Sequence, residues 1–274
     1  MGGVYYNGKI AIFLCDFRIT TKIFRAVHLG KKYWLLYNKV QEYSETAMAN
    51  GGDIVNDLIV YHGSRGGLHG TIKPNSRPRC DFGCGFYMGD SEKQAKGLIS
   101  EADTPTLYTL RLKLSEIPES RILILNGHDW LHTVLASRQK IAEFNRLNIA
   151  KRTLQNLERY DVIIGPIADD RMNEAMNRFS DYAITDKALL ACLESVNYGN
   201  QYVAKTDFAC SKIEVIGEKI LRGKELDDIK QYTRQKRSES RDIVLAMAQK
   251  YQRDGLYLNE ILQQETEKEE ADER

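Results

Sequence analysis

Apolar and polar positions along the 274-residue chain change their period several times, and each change marks a predicted element. Residues 4–26 alternate loosely and are rich in β-branched and aromatic types, which predicts one or two strands. Between 33 and 48 the spacing lengthens to that of a helix, through Tyr33, Leu36, Val40, Tyr43 and Met48, closed by Gly51-Gly52. Residues 57–61 predict a short buried strand running into His62-Gly63-Ser64. From Arg65 to Asp81 glycine and proline recur (Gly66, Gly67, Gly70, Pro74, Pro78), the mark of a long loop. A loop of that length inside a compact domain is uncommon unless it serves a site.

Further along, residues 91–102 predict a helix capped by Ser91, with Gln94 at the capping-box position. Strands are expected at 106–114, 122–125 and 162–167, and a helix over 128–146. Helical patterns follow at 169–179 and 184–196, then strands at 200–205 and 213–217. This order is that of a mixed α+β domain, assigned to residues 1–223 with its core at about 57–220. After Gly223 helix formers take over, with apolar positions at Ile229, Tyr232, Ile243, Met247, Tyr251, Leu256 and Leu258. They predict a helical appendage over 224–274 that ends in an acidic tail. Its cationic run (Lys230, Arg234, Lys236, Arg237, Arg241) reads as a solvated helix face, with a nucleic-acid or partner-binding arm as the alternative.

Composition narrows the classes. Thirty-nine Lys and Arg against 38 Asp and Glu give a formal charge of +1, which argues against a chain built to coat nucleic acid or an anionic membrane. The 42% hydrophobic content supplies a sizeable core. The most apolar N-terminal run, Ile10 to Cys15, is too short for a secretory core, and no stretch approaches the ~20 residues of a spanning helix. Five cysteines without a framework spacing favour reduced thiols, hence a soluble cytoplasmic protein with no membrane partner.

Three segments carry candidate chemistry: Tyr61-His62-Gly63-Ser64, Asp81-Phe82-Gly83-Cys84-Gly85-Phe86-Tyr87, and Asn200-Gln201-Tyr202. The first sets a histidine, a glycine and a hydroxyl at a strand end. The second packs glycines against aromatics, so that backbone can approach a flat ligand while a ring covers it. The third opens a strand with an amide. In this order, together with Asp161-Val162-Ile163-Ile164-Gly165-Pro166-Ile167-Ala168-Asp169-Asp170-Arg171 and Lys205-Thr206, they resemble the ADP-ribosyltransferase superfamily, in its histidine–tyrosine–glutamate/glutamine branch. More closely, they resemble an uncharacterised bacterial, toxin-like group within it.

That resemblance implies a split β-sheet clasping NAD⁺ as substrate, release of nicotinamide, and transfer of ADP-ribose to a protein or nucleic acid. A small antitoxin partner and a defence role are implied with it. His62, Tyr87 and Gln201 would form the catalytic set. His62 would bind the adenosine-side ribose or its near phosphate, Gly63 the nicotinamide carboxamide, and Tyr87 would stack on the nicotinamide ring. Tyr61, Ser64, Phe82, Gly83, Gly85 and Phe86 would complete the cofactor-binding residues. Among the loop cations Arg65, Lys73, Arg77 and Arg79, either Arg65 or Arg79 would neutralise the pyrophosphate. Gln201 departs from the usual glutamate: it keeps a hydrogen bond and loses the negative charge. Hydrolysis of NAD⁺, or an inactive NAD⁺-binding module, are therefore the alternatives.

Each residue also has a plainer reading. His62 could cap or pack, Tyr87 could be core, and Ser64 could serve its turn. Asp169 and Asp170 stand where aspartates cap a helix. Cys80 and Cys84 with His62 and His69 lack the zinc-site spacing, and His128/His132 lack the HExxH glutamate, so no metal is expected.

Overall fold

The computed structural model describes residues 57–167, 173–195 and 199–272, all within the unit Asn56–Arg274. The strands and helix predicted over 4–48 lie outside the described residues, as do Asp169 and Asp170. Strands β1 (Asp57–Ser64), β2 (Phe86–Gly89), β3 (Thr106–Lys113) and β4 (Ile122–Ile124) come first in the chain. They are followed by β5 (Val162–Pro166), β6 (Asn200–Ala204) and β7 (Ile213–Ile220). All seven join one sheet in the order β4-β5-β6-β2-β1-β3-β7. Only β4 and β5 run parallel; the other ladders are antiparallel, and the domain is α+β.

Pairing is uneven across the sheet. β1 and β3 stay in register along eight positions, Asp57↔Lys113 to Ser64↔Thr106, and β2 and β6 along four. Between β1 and β2 one register pair is made, Tyr61↔Gly89. Beyond it no further register pair joins the two strands, which leaves a seam in the ladder beside His62, Gly63 and Ser64. A single lateral row still crosses six strands: Gly165, Gln201, Gly89, Tyr61, Thr109 and Gly217. Alternation along each strand puts Tyr87, Gly89, Gln201, Val203 and Tyr61 on one face, with Phe86, Met88 and His62 on the other.

Helices α1 (Glu92–Ile99), α2 (Gly127–Arg138), α3 (Ala142–Arg146) and α4 (Asn148–Leu157) precede β5. The later ones are α5 (Asn173–Ser180), α6 (Asp186–Ser195), α7 (Asp207–Cys210), α8 (Gly223–Lys250) and α9 (Leu258–Asp272). The helix predicted over 128–146 is two helices, because Gln139 turns left-handed at φ 53° and ends α2. β1 runs on through Ser64, three residues past its predicted end.

The largest core lies on the Tyr87 face, around Trp130, Phe82, Phe144, Phe179 and Leu189. Val244 of α8 and Leu258 of α9 are buried in that same core. Leu256 N–H donates to Asp186 Oδ1 at 2.8 Å, and Thr185 Oγ1 donates to the Tyr251 carbonyl at 3.2 Å. The C-terminal helices are thus built into the body; the appendage inferred from their helical periodicity gives way, since periodicity alone does not tell which apolar stripe finds a partner. The cationic run is partly paired as well: Lys230 meets Glu101 (3.9 Å), Arg241 meets Glu174 (3.5 Å) and Lys236 meets Glu239.

Candidate active site

His62 occupies the seam. Its Nδ1–H donates to the Tyr87 carbonyl at 2.7 Å, taking the β2 acceptor that a β1 amide would otherwise reach. A carbonyl oxygen only accepts, so the proton sits on Nδ1. Burial holds the imidazole below its ordinary pKa, against the opposing pull of that hydrogen bond. The ring is therefore neutral near pH 7, and Nε2 is left as a lone-pair acceptor. Phe86 fixes the ring plane by stacking at 4.5 Å and 25°. The companion Gly63 is required by packing: a methyl there would stand 2.6 Å from the Ala95 carbonyl and 2.8 Å from Ile99 on α1. Tyr61 joins the small cluster with Ala95, Ile99 and Leu107.

Tyr87 is anchored by its far end. The hydroxyl donates to the Gly83 carbonyl at 2.7 Å and accepts from Phe82 N–H at 3.0 Å. Burial pushes its ionisation well above the ordinary tyrosine range, so it stays a phenol. Gly83 takes φ +73°, the left-handed turn that brings its carbonyl round to that hydroxyl. Ser76 closes the loop onto the same segment: its N–H donates to the Gly85 carbonyl (3.1 Å) and its Oγ accepts from Gly85 N–H (3.1 Å). Gly85 is forced, since a methyl would stand 2.4 Å from Val203. Phe82 is fully buried against Gly165, and its carbonyl receives the Lys205 ammonium, so this residue serves packing.

Gln201 sits in a setting that an amide satisfies. It is 7% exposed, and its amide nitrogen donates to Asp81 Oδ2 and to the Pro166 carbonyl, both at 2.9 Å. Both partners are acceptors, so the nitrogen must face them and Oε1 is the end left over. Asp81 is itself held by Arg138, with Nε at 2.8 Å and Nη2 at 2.7 Å from Oδ1. Trp130 Nε1–H donates to the same Pro166 carbonyl at 3.0 Å. Asp81 stood in the sequence reading only as the first residue of the second motif, with no role, and Arg138 was not picked out. The only hint was an amide at a buried strand position, which needs partners of opposite hydrogen-bonding sense.

The remaining candidates are placed as follows. Ser64 Oγ donates to the Gly67 carbonyl (2.9 Å) and accepts from Gly66 N–H, the turn chemistry. Arg65, Lys73, Arg77 and Arg79 are exposed on the 65–79 loop, and none is paired with a carboxylate among the described residues. Cys80 and Cys84 are free thiols on the loop that Tyr87 anchors. His128 lies away from these residues, with Nε2 2.9 Å from Asp186 Oδ2.

The described residues thus carry a neutral imidazole on one face of the sheet, an amide oxygen backed by a buried ion pair on the other, and a cationic loop that follows β1. Residues 58–215 match the family model described as Protein of unknown function (DUF3990). No curated protein and no solved structure matches the chain.

Proposed function

The chain belongs to this DUF3990 family, and from that premise we propose that it is an NAD⁺-dependent ADP-ribosyltransferase whose divided sheet is the split sheet of that superfamily. The observation that carries the reading is the β1–β2 seam, where one register pair is made and the His62 ring then bonds to β2, followed by a loop bearing four cations that have no carboxylate partner among the described residues. The neutral Nε2 of His62 suits a ribose hydroxyl, which donates. The cations suit the pyrophosphate, with Arg65 and Arg79 the candidates at the two ends of the loop.

The reaction breaks the C1′–N bond of the nicotinamide riboside. The bonding pair leaves with nicotinamide, C1′ takes on oxocarbenium character, and a lone pair of the acceptor forms the new bond as its proton passes to base or solvent. The protein's task is to orient the bent dinucleotide and to oppose the developing positive charge. Gln201 Oε1 supplies a dipole for this. Its nitrogen donates to the ionised Asp81, which draws the amide toward a more negative oxygen. A glutamate at 201 would instead set a second carboxylate against Asp81 and the Pro166 carbonyl. The glutamine thus fits its setting, and charge comes to it from behind.

We take the acceptor to be a protein side chain or a nucleobase, and the biological role to be toxin-like, with a small antitoxin partner. The test is incubation of the chain with labelled NAD⁺ and cell lysate, with and without nuclease or protease. Label on a digestible macromolecule together with nicotinamide release is the expected result, abolished in a folded His62→Ala variant. Nicotinamide without label would instead mean NAD⁺ hydrolysis. Neither signal would leave a binding module and overturn the enzymatic reading.

A further inference from the structure

We propose that Tyr108 is a positioning residue for the pyrophosphate of the dinucleotide: its hydroxyl fastens the front of the cationic loop to the sheet and so sets where Arg65 stands beside His62. The inference rests on the NAD⁺ reading above and names a residue that this reading leaves without a role.

Strand β3 turns Tyr108, Leu110 and Leu112 toward the face that carries His62, and all three are buried in one apolar cluster. Two of them are plain hydrocarbon. Tyr108 is 4% exposed and stands directly across the ladder from His62, with the two rings 6.5 Å apart. Its hydroxyl meets two separate parts of the chain. It donates to Oε1 of Glu218, its register partner on β7, at 3.3 Å and accepts from Leu68 N–H at 3.0 Å. The ionised carboxylate only accepts, so it takes the proton and leaves a lone pair for the amide. A hydroxyl that donates to a charged group is also the better acceptor.

The two ends of the loop are held unequally. Its rear is clipped by Ser76, which is joined to Gly85 through both N–H and Oγ at 3.1 Å. Its front is a small turn closed on itself: Ser64 Oγ donates to the Gly67 carbonyl, and a ring nitrogen of His69 lies 3.0 Å from the Gly66 carbonyl. Among the described residues, one hydrogen bond ties 65–75 to any element other than the β1 end they leave, and it is the bond from Leu68 to Tyr108. Leu68 and Ile72 add apolar packing on the same cluster. Arg65 is exposed and rides in that turn, three positions past His62. Where the turn sits, the guanidinium follows.

The first measurement is limited trypsin digestion of the full chain. Lys73 and Arg77 are each followed by proline, which trypsin spares, so the loop is cut after Arg65 and Arg79. Cleavage follows the population in which a segment has lifted off the body. Tyr108→Phe deletes only the hydroxyl and should quicken cleavage after Arg65 about fivefold, the scale of one net hydrogen bond, with cleavage after Arg79 unchanged. Glu218→Ala, at an exposed position where folding is not at risk, should quicken it about twofold; Glu218→Gln keeps an acceptor and should behave as wild type. The second measurement is nicotinamide release from NAD⁺. Tyr108→Phe should raise KM about fivefold and hold kcat within about a factor of two, the mark of binding lost equally from ground and transition states. Equal acceleration at both cleavage sites, or none after Arg65, would overturn the fastening. Faster cleavage after Arg65 with KM unchanged, or with kcat falling instead, would overturn the positioning role. A wild-type chain that releases no nicotinamide would overturn the NAD⁺ reading and this role with it, while the digestion still decides the fastening.

Discussion

Two halves of one sheet meet at the β1–β2 seam, and they are held in place differently. The β1-β3-β7 half relies on long ladders: eight register positions join β1 to β3, and seven join β3 to β7 with one bulge. Its outer strand is open to solvent, with Val215 and Ile216 exposed, and its cross-strand charges, such as Arg111 with Glu214, lie at the surface. The β4-β5-β6-β2 half has shorter strands and compensates with polar braces built on buried carboxylates. Gln201, Asp81 and Arg138 form one brace. Asp161, gripped by Arg121 at 2.9 and 3.0 Å and by Thr206 at 2.7 Å, forms another. Ladders fix backbone; buried polar braces fix side-chain atoms. Orientation of a reacting oxygen is therefore to be sought on the braced half, and an open backbone edge on the laddered half.

Breaking the brace should have the largest effect. Asp81→Ala removes the carboxylate that Arg138 and Gln201 share, breaking a buried ion pair, and should lower stability by about 3–5 kcal/mol in denaturant unfolding. A loss below about 1 kcal/mol would remove the contrast between the halves.

The seam gives an intermediate effect that depends on pH. Burial depresses the folded-state pKa of His62 below its ordinary 6.5, so the unfolded chain takes up the proton first as pH falls. Stability from this group is complete above about pH 6.5 and declines below it toward the depressed value, at no more than about 1.4 kcal/mol per pH unit. Unfolding free energies at pH 7.5, 6.5 and 5.5 should therefore fall more steeply for the wild-type chain than for His62→Gln. Parallel slopes would mean that the ring is not buried in the seam.

The smallest effect belongs to the laddered half. Arg111→Ala removes a half-exposed pair 3.1 Å from Glu214 and should change stability by less than about 1 kcal/mol.

The sequence was most readable where period and length agreed. β3 alternates over eight residues, and its predicted bounds stand within one residue. β2 is four residues long, begins directly after Gly85 and has no room to show a period, so the sequence predicts no element there. α4 keeps a clear apolar face in Ile149, Ala150, Leu154 and Leu157, but it is ten residues long and no side-chain cap announces its start. At the site, His62, Tyr87 and Gln201 were legible as motifs, and their surroundings were not. Asp81 and Arg138 are 57 residues apart, and no local pattern encodes such a pairing.

The burial of Val244 and Leu258 in the principal core has a consequence for the order of events on the ribosome. Every strand of the sheet has emerged by residue 220, yet the apolar surface that α8 and α9 cover stays wet until synthesis has passed residue 258. A nascent chain can thus assemble the seam and the motif residues before its core is sealed. The candidate site would then be supported by a sealed core only after α9 is made, and a chain halted between residues 220 and 258 would be a sticky, incomplete body.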